Sequence, residues 1–390
     1  MLIAALVLAA ATSTVSALHH VPLATHMSAV QPSSMLASLS LIREKPLPVH
    51  LRRYSRVPFN CRNDEVFLAA AEMVAKVCKM GKVLQEGPDM AQFLRSQQLD
   101  CWALRVWNTD KLFSSGVWQR DDTCILAISG YHTELAGAMR TMSDSMTPDE
   151  RWDMCGTSIY APVVRLFRDH AKLANWSHVT QFLRSQERCK RIFVTGESLG
   201  GSMALALTTC AYQKSNEIPK LIDRPDAKDF RVNAAFTFGA LPISQPAGSN
   251  ALRTDGCLPG KRIVDTDDFP VSYFSQMHLT NGELNVYPQM DALSIREVGN
   301  KVQYDMLNCR EAPPKQNPWS KPHHNATPTV KNSETDRKGE EQDAFYHHSI
   351  FHYIASLRYI KELESQQRSL SPAVDTFSYL QKWMMRWYVR

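Results

Sequence analysis

The sequence lacks a marked excess of charge of either sign. Its 44 lysines and arginines stand against 39 aspartates and glutamates, and the basic residues lie singly or in pairs rather than in a stripe that could follow a phosphate backbone. It also lacks a repeat of about 20 to 50 residues, the signature of a solenoid. Nucleic acid is therefore excluded as an expected partner, and so is a repeat architecture.

What is present is the composition of an ordinary globular protein. Of the 390 residues, 44% are hydrophobic and 21% are charged. A chain of this length can form a core of over about 250 residues as a single α/β unit. We therefore expect one large domain, residues 59–390, preceded by appendages.

The N-terminal apolar run is too short to span a bilayer. Residues 2–11 fall short of the roughly 20 residues that a membrane helix needs. The Val-Ser-Ala at 15–17 fits the pattern before a signal-peptidase site, although no Lys or Arg precedes the run. We expect a cleaved signal peptide at 1–17, with an uncleaved anchor or a misassigned start as alternatives, then a poorly ordered lead at 18–58. This predicts the secretory pathway and an extracellular protein.

The cysteines lack metal-site spacing such as C-x-x-C, so some should pair in an oxidising compartment, and their odd number leaves at least one over. Cys124 and Cys210 lie in apolar segments, and we expect them to be buried small hydrophobic residues rather than bridge partners. Glycosylation triplets begin at Asn175 and Asn325, which agrees with secretion. The nine are Cys61, Cys78, Cys101, Cys124, Cys155, Cys189, Cys210, Cys257 and Cys309.

Strand-like and helical segments alternate along the chain, which predicts an α/β sheet, largely parallel, with its working site at strand ends. A segment at 311–343 is rich in Pro, Lys, Asn, Glu and Ser, and we expect a mobile surface insertion there. The predicted helices are 64–80, 161–183, one that includes 203–207, and one from 345, and the predicted strands are 102–107, 123–128, 191–195, 232–238, 262–264 and 284–287.

The run Gly-Glu-Ser-Leu-Gly-Gly at 196–201 is a G-x-S-x-G between a buried strand and a helix of small residues. So sharp a turn favours strained backbone angles at Ser198, and side chains at Gly196 or Gly200 would collide with the neighbouring helix and strand. The Ser198 hydroxyl then lies beside a helix N-terminus, whose free N–H groups favour developing negative charge. This context predicts a nucleophilic serine, whereas a bare Gly-Ser turn would carry no chemistry.

The stretch IFVTGESLGGSMALA resembles the nucleophile elbow of the class 3 (fungal lipase-like) lipases, with Glu197 where His is common. Two further stretches are similar to that family: TFGALP at 237–242, and RIVDTDD at 262–268. The resemblance implies an α/β-hydrolase fold with a mostly parallel central sheet flanked by helices. It also implies a Ser-Asp-His ester hydrolase.

The resemblance places the acid at Asp268, with Asp267 and Asp265 as rivals. The base must follow the acid in this fold. The segment HSIFHY at 348–353 is similar to the family's H-S-x-x-x-Y, which implies His348 as the base and His347 as its main competitor. We expect His352, on the same helical face as His348, to pack or to support it. The remaining candidates are His278, His323 and His324, of which the last two lie in the insertion.

An oxyanion hole needs two donors. One is the backbone N–H of Leu199. By resemblance, the second comes from the turn after strand 123–128, where Ser-Gly-Tyr replaces the family's R-G-T and puts Tyr131 in the donor position. Beyond it, methionines at roughly helical spacing in 134–146 suit either a lid or a permanently packed helix. The aromatic and basic stretch 377–389 suits packing or a membrane surface.

We therefore expect an esterase or lipase that acts on acyl lipids, such as triacylglycerol or a related glycerolipid, at a membrane or lipid-droplet interface. It would need no cofactor and no metal. The alternatives are a non-catalytic member of the fold that binds lipid or protein, and an acyltransferase.

Overall fold

The computed structural model describes fourteen parts of the chain, and the account below concerns these alone. They are residues 47–61, 65–83, 99, 101–110, 112–130, 151–155, 157–174, 176–212, 217–241, 243, 258–268, 271, 290–307 and 346–370.

The described strands form an eight-stranded sheet in the order β1-β2-β3-β6-β7-β8-β9-β10 and a hairpin of β4 with β5. The central pairs from β3 to β9 are parallel, and only β2 and β10 run against the other six strands of the large sheet. The strands are β1 Ala103–Thr109, β2 Ser114–Arg120, β3 Thr123–Ile128, β4 Arg151–Met154, β5 Thr157–Tyr160, β6 Arg191–Glu197, β7 Ala234–Phe238, β8 Leu258–Asp265, β9 Met290–Val298 and β10 Lys301–Leu307.

Helices cover both faces of this sheet. Helices α3, α4 and α5 pack on one face, and α1, α2 and α7 pack on the other. The described helices are α1 Val49–Ser55, α2 Val66–Val83, α3 Ala161–Leu173, α4 Ser177–Arg184, α5 Ser198–Tyr212, α6 Ile218–Leu221 and α7 Ile350–Leu370. Within the described residues, no helix combines the length and apolarity that crossing a membrane requires.

Strand β3 shows why the sheet is apolar on both sides. Leu126 and Ile128 belong to the core on one face, while Ile125 and Ala127 belong to the core on the other. A parallel strand covered by helices on both faces is buried throughout, so its sequence is a continuous apolar run. The predicted fold, a mostly parallel central sheet flanked by helices with an elbow between strand and helix, is confirmed.

Several elements differ from the sequence-based predictions. Helix α1 lies inside the segment 18–58 that we expected to be a poorly ordered lead, and its Leu51 is buried against α7. The helix expected over 161–183 is two helices, α3 and α4. Strand β2 was not predicted because its polar serines hide the apolar pattern, yet Ser114 and Ser115 are fully buried.

Three disulfides join Cys61 to Cys101, Cys124 to Cys189 and Cys155 to Cys210. The expectation that Cys124 and Cys210 are not bridge partners is therefore wrong. Both are fully buried, as expected, but each has a second cysteine beside it that lies 65 or 55 residues away in the sequence. Three disulfides fit a protein of an oxidising compartment.

Candidate active site

The turn between β6 and α5 has the geometry of a nucleophile elbow. Ser198, the first residue of α5, has a φ of +55°, in the left-handed region that is strained for residues other than glycine. A Cβ on Gly196 would lie closer than 3.0 Å to the Gly200 carbonyl, and one on Gly200 would lie as close to the carbonyl of Ser129 after β3. The predicted need for glycine at both positions is confirmed.

Ser198, His348 and Asp268 lie together, and we call them the triad. The Ser198 Oγ is 2.8 Å from the His348 Nε2, and the His348 Nδ1 is 2.9 Å from each carboxylate oxygen of Asp268. All three residues are buried. The imidazole thus bridges hydroxyl and carboxylate, the arrangement in which it can accept the hydroxyl proton while the carboxylate fixes its tautomer.

Tyr353 hydrogen-bonds to the carboxylate of the triad. Its hydroxyl donates to the Asp268 Oδ2 at 2.6 Å and accepts the backbone N–H of Asp265 at 3.1 Å, while the Val271 N–H donates to the Asp268 Oδ1 at 3.1 Å. Sequence reasoning gave Tyr353 no role. The signal was present, because this tyrosine closes the H-S-x-x-x-Y pattern that begins at His348.

The rivals for the acid and the base form a group of their own. The Asp265 Oδ2 lies 2.7 Å from the His352 Nε2 and 3.3 Å from the His347 Nδ1, and the Asp265 Oδ1 accepts the Asp267 N–H at 2.8 Å. Ligand atoms of Asp265, His347 and His352 all lie within 4.8 Å of one another, which makes these three the described residues that could hold a metal ion. His278, His323 and His324 lie outside the described residues.

Charges around the imidazole favour its protonated form. Burial alone would lower the pKa of His348, but the Asp268 carboxylate and, further off, Glu197 outweigh burial and leave that pKa raised. A raised pKa makes His348 a stronger proton acceptor. Burial raises the pKa of Glu197 itself.

Of the two expected oxyanion donors, the structure describes one. Leu199 follows Ser198 in the first turn of α5, where backbone N–H groups have no acceptor within the helix. Tyr131 lies outside the described residues, but Gly130 before it is buried, and a Cβ there would collide with the Glu197 carboxylate. The residue types at 130 and 197 are therefore coupled, a contact that sequence reasoning missed.

A second Ser-His-Asp set lies elsewhere in the core. The His170 Nδ1 is 2.5 Å from the Asp110 Oδ2, and the His170 Nε2 is 3.2 Å from the Ser115 Oγ. Ser115 is fully buried and lies within strand β2, which is paired with a strand on each side. Because Ser115 is in a strand, its hydroxyl has no helix N-terminus beside it that starts at this residue. The same three residue types thus act here as a core hydrogen-bond network, and they offer an internal control for the triad.

Several sequence predictions concern residues outside those described. These are the signal peptide at 1–17, the methionine-rich segment 134–146, the insertion 311–343, the stretch 377–389, and the glycosylation triplets at Asn175 and Asn325.

No protein-family model matches the chain, and no curated protein sequence matches it. Similar solved structures are lipases. The lipase of Rhizopus microsporus var. chinensis is 16% identical over 65% of this chain and 81% of that chain, with a TM-score of 0.41. Lipase II of Rhizopus niveus is 17% identical over 64% and 86%, with a TM-score of 0.42, and the Rhizomucor miehei lipase–propeptide complex is 14% identical over 70% and 84%, also with a TM-score of 0.42.

Proposed function

We propose that this protein is a serine carboxylic-ester hydrolase that acts on acyl lipids. The observation that carries the proposal is the unbroken line of hydrogen-bond distances from the Ser198 Oγ through the His348 ring to the Asp268 carboxylate, 2.8 Å and 2.9 Å long. Ser198, which carries this hydroxyl, is the first residue of α5 and has a strained positive φ. This is the usual setting of an acyl-transfer nucleophile in an α/β sheet.

In the proposed reaction, the Ser198 Oγ attacks the ester carbonyl carbon and His348 Nε2 takes the hydroxyl proton. The carbonyl oxygen becomes an oxyanion that the Leu199 N–H stabilises, with the Tyr131 N–H as the proposed second donor. The tetrahedral intermediate expels the alcohol, which leaves with the proton from His348. Water then attacks the acyl-enzyme, again giving a proton to His348, and the fatty acid leaves as Ser198 regains its hydrogen.

Asp268 holds the imidazole in the tautomer whose Nε2 lone pair faces Ser198, and it stabilises the imidazolium that forms in each half-reaction. Two oxygens at equal distance from the His348 Nδ1, together with the Tyr353 hydroxyl, restrict rotation of both side chains. This fixed geometry lowers the barrier because the base needs no reorganisation at the moment of attack.

Acyl lipids are the proposed substrates because the elbow and the 237–242 and 262–268 segments resemble those of class 3 lipases. Triacylglycerol or a related glycerolipid at a membrane or droplet surface fits this resemblance. Incubation with a mixed lipid extract, followed by mass spectrometry, should show depletion of one such class. The three disulfides support a location in the secretory pathway.

The decisive test compares Ser198→Ala with Ser115→Ala on p-nitrophenyl esters of short and long acyl chains. Both variants remove a hydroxyl that lies beside a histidine, but only the first removes the proposed nucleophile. Ser198→Ala should lower kcat by at least about 10⁴-fold while Ser115→Ala keeps most of it. If Ser198→Ala hydrolyses both esters as fast as the unaltered protein, Ser198 is not the nucleophile and the proposal is refuted. If all three proteins hydrolyse both esters only at the uncatalysed rate, the chain is a non-catalytic binding member of the fold.

A further inference from the structure

Beside the triad lies a group that the proposed reaction does not use. Asp265 is the last residue of β8, His347 lies in the turn before α7, and His352 lies in the first turn of α7. Their three ligand atoms lie within 4.8 Å of one another. Asp265 and His352 are fully enclosed, whereas the His347 side chain is 17% exposed and gives the group its access to solvent.

Hydrogen bonds among the described residues satisfy only one of the two histidine nitrogens that face Asp265. The Asp265 Oδ2 is faced by two ring nitrogens, and the His352 Nε2 at 2.7 Å forms a hydrogen bond with it. The His347 Nδ1, 3.3 Å from the same oxygen, is buried and makes no aligned hydrogen bond within the described residues. A buried polar atom in that condition is costly unless something else binds it.

The Asp265 carboxylate is held in one orientation by a backbone hydrogen bond. The Asp265 Oδ1 accepts the Asp267 N–H at 2.8 Å, which turns the Oδ2 toward both histidines, as the outer hydrogen bonds of a metal ligand do. Asp267 and Glu297 also lie close enough to act electrostatically on the His347 ring. Acidic groups surrounding two imidazoles favour a bound cation.

We propose that Asp265, His347 and His352 bind a divalent transition-metal cation of the Zn²⁺ class, with water as the fourth ligand. Two imidazoles and one carboxylate suit Zn²⁺, whose tetrahedral bonds of about 2.0 to 2.2 Å require ligand atoms roughly 3.3 to 3.5 Å apart. The His347 contact already has this spacing, and the 2.7 Å His352 contact would open by several tenths of an ångström to admit the ion. The ion would take the place of the hydrogen shared by the His352 Nε2 and the Asp265 Oδ2, that hydrogen would pass to water, and no oxidation state would change.

The bound ion would join the two segments that carry the base and the acid of the triad. His347 directly precedes His348, and Asp265 lies three residues before Asp268. The ion would also strengthen the existing link in which Tyr353 bridges the Asp265 N–H and the Asp268 carboxylate. The site does not depend on the proposed hydrolysis, because it would bind metal even if the triad were inactive.

The test uses the full chain, stripped with a chelator and dialysed, and titrates it with ZnCl₂ in a calorimeter. Elemental analysis after gel filtration gives the metal content, and Co²⁺ in place of Zn²⁺ gives a visible absorption band if the ion is tetrahedral. We expect one ion per chain. His347→Gln and His352→Gln should each weaken binding by at least about tenfold, since loss of even an outer-sphere partner costs that much.

His178→Gln is the matched control, because His178 is exposed on α4 and belongs to no such group among the described residues. It should bind Zn²⁺ like the unaltered chain. His347→Gln changes a partly exposed side chain, so its circular dichroism and melting temperature without metal should match those of the unaltered chain. The proposal is overturned if the stripped protein takes up no ion, or if His347→Gln and His352→Gln bind it as tightly as His178→Gln does.

Discussion

Replacing Tyr353 with phenylalanine should cost both stability and activity. The hydroxyl is fully buried and makes a 2.6 Å hydrogen bond to the Asp268 carboxylate and a 3.1 Å hydrogen bond from the Asp265 N–H. A hydrogen bond to a charged group contributes about 1.5–3 kcal/mol, and a buried N–H without an acceptor costs about 1–3 kcal/mol. Because the two effects overlap, we expect a loss of about 2–4 kcal/mol in the free energy of unfolding.

The matched control is Tyr359→Phe, two turns further along α7. The Tyr359 ring packs on Tyr54, and its hydroxyl makes no hydrogen bond within the described residues. Urea unfolding should show a change below about 0.5 kcal/mol for this control. In ester hydrolysis, Tyr353→Phe should lower kcat by about tenfold, the equivalent of about 1.4 kcal/mol, because Asp268 holds His348 less firmly. Equal stability and equal kcat for the two variants would refute this account of Tyr353.

Three further predictions test the same structure. Gly239→Ala should reduce kcat far more than Gly299→Ala. Both glycines have positive φ, but a Cβ at 239 would lie 2.8 Å from the carboxylate of the triad, whereas a Cβ at 299 would meet nothing within 4 Å. Equal effects on kcat would contradict this prediction. Replacing Cys155 and Cys210 together with serine should lower the free energy of unfolding in urea by about 4 kcal/mol, since the loop spans 55 residues, whereas an unchanged midpoint would rule this out. Burial lowers the pKa of Lys261 to about 7, so between that pH and about 10.5 the unfolded chain binds more protons than the folded chain. The free energy of unfolding should therefore rise with pH in that window by up to about 1.4 kcal/mol per pH unit, and by less because Lys261 is partly exposed. Lys261→Met should flatten this rise, and parallel stability curves for the variant and the unaltered chain would contradict the prediction.

The elbow could be predicted because its constraints are local. One sharp turn after a strand requires a serine at positive φ and glycines at 196 and 200. All of these features lie within a few residues of one another and can be recognised in the sequence. The central strands were predictable for a similar reason. Burial on both faces of β3 and β6 makes their sequences apolar runs whatever the rest of the chain does.

Disulfide pairing could not be predicted, because it depends on contacts between distant segments. Cys124 and Cys210 lie in apolar sequences that are typical of buried thiols, and burial was correct. Their partners, Cys189 and Cys155, lie in connecting segments after α4 and β4, and only the packing of the chain brings those segments beside β3 and α5. Strand β2 was missed for the same reason, because its buried Ser115 is paired with His170, a residue 55 positions away in the sequence.

The sequence by itself determined which kinds of group this protein brings to the end of its sheet: a hydroxyl on an elbow, carboxylates at and just after the end of β8, and histidines around the start of α7. It left open which carboxylate faces which histidine. The tertiary structure decided that His348 lies against Asp268 while His347 and His352 face Asp265. Residues one to four positions apart can point to different partners, and the packing of α7 against the end of β8 sets those directions. Chain order alone does not.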